Sequence, residues 1–193
     1  GKVTEQKTFS EAFRMVEDYV YEVFERCSSM NSSSGQKQAM LAMEYIRGHY
    51  NEPEFGLNDI CSYLNIGTSY FSTIFKETTG GTFLEFLSKV RMEKAKELLE
   101  QTTLKNYEIA EMVGYSDPHY FGISFKKMTG KTVTGYLEEY RVNQSLSLVQ
   151  SSQYSMIQIA DMTGFSNASR FAQAFRKQFG CNPGEYNSLK RQN

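Results

Sequence analysis

The stretch IAEMVGYSDPHYFGISFKKMTG, Ile109 to Gly130, is followed fifty residues later by IADMTGFSNASRFAQAFRKQFG, Ile159 to Gly180. Nine of the twenty-two paired positions are identical: Ile, Ala, Met, Gly, Ser, Phe, Phe, Lys and Gly recur at matched places. The agreement extends upstream, where Arg91, Met92, Ala95, Leu98 and Leu99 pair with Arg141, Val142, Ser145, Leu148 and Val149. That spacing is the face of a helix, so each copy is expected to begin with an amphipathic helix. A third copy lies earlier, in LNDICSYLNIGTSYFSTIFKETTG: Ile60 and Cys61 align with Ile109 and Ala110, and Phe71, Phe75 and Gly80 with Phe121, Phe125 and Gly130. The offset grows from 49 to 50 between these pairs, so the second turn is one residue longer.

Each copy reads as a short helix, a tight turn and a second helix. In the first helix a small residue (Cys61, Ala110, Ala160) follows an Ile and lets another helix cross closely. At the turn stand Asn65, Gly114 and Gly164, the residue types that best tolerate a left-handed backbone. Ser116 and Ser166 have the character of N-caps. Phe121 and Phe125, like Phe171 and Phe175, are four apart and face the core together. Gly80, Gly130 and Gly180 sit where the second helix should stop. This is the helix-turn-helix pattern, whose second helix can enter the major groove of DNA. The expected fold is all-α: three tandem helix-turn-helix units, with a period of about 50 residues, joined by linking helices. A continuous helix is expected over 136–150, ending the second unit and starting the third.

Residues 36–141 closely resemble the DNA-binding domain of the AraC/XylS family of bacterial transcription activators. The resemblance rests on Leu57-x-Asp59-Ile60, Gly80, the linking RMEKAKELL helix, IAEMVGYSDPHYFGISFKKMTG and Tyr136. It implies a cytoplasmic transcription regulator that places two recognition helices in successive major grooves and touches RNA polymerase. Two departures follow. The family pattern ends after the second unit, near Arg141, whereas here a third unit occupies 142–193. The family also carries a proline shortly after the glycine that ends the second unit; here that position is Val133, while Pro183 holds it in the third.

The exposed faces of the second helices differ from copy to copy. The first offers Ser69, Tyr70, Ser72 and Thr73, with Lys76 nearer its end. The second offers Gly122 and Ile123, which read no donor or acceptor pattern, flanked by His119, Tyr120, Lys126 and Lys127. Asp117 opens this helix, which suits a helix N-terminus but repels phosphate. The third offers Asn167, Ser169, Arg170 and Gln173, backed by Arg176 and Lys177. Arg and Gln make bidentate base contacts and the terminal pair can hold phosphate, so the last unit is the expected base reader. The bland reading of Lys126, Lys127, Arg176 and Lys177 is a solvated helix end favoured by the helix dipole.

Charge follows the same asymmetry. The chain carries −1 overall, but residues 1–140 hold 15 basic and 20 acidic side chains, and from Arg141 onward six bases stand against two acids. No apolar run approaches the roughly 18 residues a membrane span needs, and no signal-peptide pattern opens the chain. Cys27, Cys61 and Cys181 are widely spaced, which fits reduced thiols better than disulfides or a zinc site. His49 and His119 have no ligand-spaced partners, no glycine-rich phosphate loop follows a strand, and no nucleophile has a spaced base. No enzyme, metal or cofactor is expected.

Before the repeats, residues 1–35 hold Phe9, Phe13, Val16, Val20, Val23 and Cys27 at heptad-like spacing, then a Ser-rich linker. The segment is expected to be an amphipathic helix that either packs on the neighbouring domain or forms a homodimer. Two functional readings remain open: a sequence-specific DNA-binding transcription regulator, and a protein-interaction module whose helix-turn-helix copies have lost base reading.

Overall fold

A computed structural model describes residues 34–190, with side chains as far as residue 186. The expected N-terminal helix with its Phe9-to-Cys27 seam lies outside the described residues. Ten helices and no strand occur among the described residues: α1 (Ser34–His49), α2 (Leu57–Leu64), α3 (Thr68–Thr79), α4 (Phe83–Gln101), α5 (Asn106–Met112), α6 (Pro118–Thr129), α7 (Val133–Ser151), α8 (Met156–Met162), α9 (Ala168–Phe179) and α10 (Pro183–Lys190). The pairs α2/α3, α5/α6 and α8/α9 are the three short-helix, turn, second-helix units, and α7 runs without a break through the region expected to be one helix.

The turns form where the sequence places left-handed residues. Asn65, Gly114 and Gly164 have φ of 52°, 85° and 77°, and Gly80, Gly130 and Gly180, which end the second helices, lie at 76°, 74° and 75°. The linking helices α4 and α7 are each 19 residues long, and each starts on a threonine cap. Thr82 Oγ1 accepts from the Glu85 N–H and Thr132 Oγ1 from the Gly135 N–H. Immediately after these caps stand Phe83 and Val133, and the matching residue of the third copy is Pro183; all three side chains are buried. The departure at Val133 therefore keeps a filled apolar slot at the start of the helix.

The chain divides into two compact units, one ending at Pro118 and the other beginning at His119. In the first, Ala39, Ala42, Ile46, Phe55, Ile60, Cys61, Phe71, Phe75, Phe83, Leu87 and Val90 form the core. In the second, Val142, Val149, Ile159, Ala160, Phe165, Phe171 and Phe175 do so. One contact recurs in every copy. The second phenylalanine of the second helix meets, edge to face, an aromatic ring eleven residues on: Phe75 with Phe86 at 5.6 Å, Phe125 with Tyr136 at 5.5 Å, and Phe175 with Tyr186 at 5.4 Å. Such contacts contribute about 0.5–1.5 kcal/mol beyond the area they bury.

Arg91 on α4 ties two turns of the first unit together. Its Nε donates to the Tyr50 carbonyl at 2.7 Å and its Nη2 to the Glu52 carbonyl at 2.9 Å, while the guanidinium sits 5.3 Å from the centre of the Tyr115 ring. Burial lowers its pKa, against the raising influence of Tyr115. Only glycine fits beside this arrangement: a Cβ on Gly114 would fall 2.6 Å from the Tyr50 carbonyl oxygen and 2.9 Å from Arg91 Nη2, at a φ of 85°. The matching Arg141 lies against Gly164, where an added Cβ would meet its guanidinium carbon at 3.2 Å. Replacing Arg91 by Ala is expected to cost about 1.5–3 kcal/mol of stability in urea denaturation, the range for hydrogen bonds to a charged group. Arg91→Lys should recover only part of this, because one ammonium cannot reproduce the two-pronged geometry.

Candidate nucleic-acid interface

Burial of the paired phenylalanines fixes which face of each second helix looks outward. Phe71 and Phe75, Phe121 and Phe125, and Phe171 and Phe175 are each 0–1% exposed. At 100° per residue, the face opposite such a pair is centred two residues after the first phenylalanine. That places Thr73, Ile123 and Gln173 at the centre of the three outward faces. On one side of them lie Ser69 and Lys76, His119 and Lys126, Ser169 and Arg176. On the other lie Tyr70 and Glu77, Tyr120 and Lys127, Arg170 and Lys177. All of these residues are exposed.

The three faces carry different chemistry. On α3 the Ser72 hydroxyl donates to the Thr68 carbonyl at 2.8 Å and the Thr73 hydroxyl to the Ser69 carbonyl at 3.1 Å. Both donors are thus committed to the helix's own backbone, a local bond that Ser and Thr make readily. Lys76 is the one cation of that helix and Glu77 stands next to it. On α6 the centre is apolar, with Ile123 52% and Tyr120 60% exposed, and Lys126 and Lys127 close the last turn. On α9, ASRFAQAFRKQF, no acidic residue occurs at all. Arg170, Gln173 and Lys177 follow one another at three and four residues along one exposed stripe, with Arg176 beside them.

The N-termini of these helices correct one expectation. Ser166 does not cap α9: Asn167, at an extended φ of −168°, is the cap, and its Oδ1 accepts from the Arg170 N–H at 2.8 Å. Ser116 is displaced in the same way, because α6 begins at Pro118 and Asp117 fills the position before it. Serine, asparagine and aspartate all suit that place, and the helix starts one residue later than the serines suggest. The cap role leaves Asn167 only its amide N–H groups for base reading, since its acceptor oxygen is already engaged at the helix start. His49 is structural: its Nδ1 lies 2.8 Å from the Tyr45 carbonyl and its ring stacks on Tyr45 at 3.9 Å.

The residues expected to contact a ligand thus fall on three helix faces, with those of α3 in the first compact unit and those of α6 and α9 in the second. Among the described residues no group of three or more His, Cys, Asp or Glu could hold a metal ion, and no helix is long and apolar enough to cross a membrane. Sequence reasoning gave no role to Arg91 and Arg141, although their recurrence at matched positions marked them.

Two substitutions separate shape from surface chemistry. Asn167→Ala should lower stability by about 1 kcal/mol through loss of the cap. Gly122 lies in the interior of α6 and nothing lies within 4 Å of a Cβ added there. Gly122→Ala should therefore raise stability by about 0.5–1 kcal/mol. Thermal denaturation of each variant checks both signs.

Residues 60–138 and 124–188 match a family model described as a helix-turn-helix domain. Over 81 residues the chain is 36% identical to the raffinose operon transcriptional regulatory protein RafR of Pediococcus pentosaceus, a match covering 42% of this chain and 29% of that protein. The C-terminal domain of AraT, a response regulator from Geobacillus stearothermophilus, superposes with a TM-score of 0.53 at 37% identity, over 55% of this chain and 88% of that one. The DNA-binding domain of AdpA, solved in complex with a target DNA, shares the fold, with a TM-score of 0.53 at 21% identity over 56% of this chain and 96% of that one. The chain spans less than a third of the length of the curated relatives it matches. Because the two matched stretches together cover more than half of its residues, the chain belongs to the AraC-type helix-turn-helix family.

Proposed function

We propose that the chain is a sequence-specific DNA-binding transcription regulator in which α9 is the principal base reader. The observation that carries this is the exposed, acid-free stripe of Arg170, Gln173, Arg176 and Lys177 on a second helix of a helix-turn-helix unit. Arg and Gln at the centre can pair bidentately with guanine and adenine edges, while Arg176 and Lys177 near the end meet phosphates. The AraC-type relatives are bacterial regulators, which supports a cytoplasmic protein acting on double-stranded DNA and meeting RNA polymerase there. Homodimerisation through the heptad-like residues 9–27 belongs to the same proposal and rests on sequence spacing alone.

A protein-interaction role is the second reading, favoured by one observation: the apolar centre of the α6 face. Salt dependence separates the two. DNA binding releases about 0.9 counterions per phosphate neutralised, so a charge-driven complex weakens steeply as salt rises.

Charge-removing substitutions are better suited to this than truncation after Arg141, which would cut α7 in the middle. Arg176→Ala with Lys177→Ala should flatten the slope of log affinity against log salt by up to about 1.8, two phosphates' worth, in gel-shift titrations. Arg170→Ala or Gln173→Ala should instead relax base preference at one end of the site, at about 1–3 kcal/mol per lost bidentate contact. An unchanged slope and unchanged preference would reduce the basic stripe to solvated surface.

A further inference from the structure

Two features of α6 are not accounted for by the core of the described residues. The first is Ile123, half exposed at the centre of the outward face, in the register that Thr73 and Gln173 hold in the other copies. The second is its neighbour Gly122. A glycine inside a helix is destabilising unless something requires it. Here its backbone is regular helix and an added Cβ would meet nothing within 4 Å among the described residues, so their packing places no demand on it. The matching position in α9 carries Ala172. The glycine clears a strip of surface beside the isoleucine, and Tyr120, exposed by 60%, flanks Ile123 on the other side. Around this apolar centre the helix carries His119, Lys126 and Lys127 and no acidic residue; Asp117 stands just before its start.

An apolar centre with a cationic rim has a specific counterpart in the major groove. Thymine presents a methyl group on C5 there, the one apolar base-edge feature in that groove, and it is recognised by apolar contact. Tyr120 and Ile123 are three residues apart, about 4.5 Å along the helix axis, close to one base step of about 3.4 Å. A protein partner fits less well: a stable interface buries about 800 Å² on each side, far more than two side chains on one helix supply.

Resting on the DNA-binding reading above, we propose that α6 reads thymine methyl groups: Ile123 packs on the C5-methyl of one thymine, Gly122 lets the helix approach closely, and Tyr120 lies over the adjacent step. The second unit is then a base reader by shape and apolar contact, where the third reads by hydrogen bonds.

The test begins with selection of binding duplexes from a random pool by the 193-residue chain, followed by replacement of each thymine in turn by deoxyuridine, which removes only the methyl. At one thymine, or two adjacent ones, affinity should fall about fourfold per methyl lost. The Ile123→Ala chain, altered at an exposed position that leaves the core intact, should bind the thymine and uracil duplexes equally at that step. The Arg170→Ala chain should keep the discrimination there. Gly122→Ala should weaken binding even as it stabilises the fold, a pairing that a structural role would not produce. The inference is overturned if no thymine matters by more than twofold, or if the Ile123→Ala chain still distinguishes thymine from uracil at every step where the unaltered chain does. Salt-dependent DNA binding that persists without methyl discrimination sinks only this inference and assigns the α6 face to another partner. Enrichment of no duplex sinks the DNA-binding reading with it.

Discussion

Burial of two phenylalanines four residues apart is the constraint from which the rest follows. In each copy the pair pins its helix to the core, and helical periodicity then dictates which residues face outward. The edge-to-face contact of the second phenylalanine with a ring eleven residues on ties that helix to the start of the next. The two inward phenylalanines are therefore the same in all three copies, while the outward half is unconstrained by packing. That freedom is what lets one scaffold carry a hydroxyl face on α3, an apolar face on α6 and a cationic face on α9.

The fold was largely legible in the sequence because its determinants are local and repeated. The fifty-residue recurrence marked the units, the glycines marked helix ends, and the Phe pairs marked the core side. The structure moved the second-helix starts by one residue, from Ser116 and Ser166 to Asp117 and Asn167. Adjacent cap-forming residues compete for the same place there, and propensity alone does not rank them. Arg91 shows the other limit. Its partners are the carbonyls of Tyr50 and Glu52, about forty residues away in sequence, and no local pattern announces a bond to a distant backbone. The candidate site was legible as a set of faces, but not in its finer chemistry. The hydroxyls of Ser72 and Thr73 and the amide oxygen of Asn167 look available in the sequence, yet in the fold they bond within their own helices.

Arg91 and Arg141 also illustrate how a charged residue can be structural where the other described arginines, Arg47, Arg170 and Arg176, are exposed. Arg91 satisfies two backbone carbonyls and covers a glycine turn that admits no side chain. Charge in that place serves geometry, since it holds the turn from which the following helix departs.

The linking helices carry a consequence of their own. Both α4 and α7 are 19 residues long, and α7 starts at the close of one copy and runs unbroken into the next. A helix of that length is a ruler and a phase-setter at once: each residue adds about 1.5 Å of length and about 100° of rotation. Inserting or deleting a single residue in α7 between Tyr136 and Arg141 would keep Tyr136 against Phe125, and Val142 and Val149 in the core of the third copy, yet swing the outward stripe of α9 through more than a quarter turn. The length of the connector is thereby a coded angle. Drift in it would scramble where the molecule points its side chains long before it disturbed how they fold.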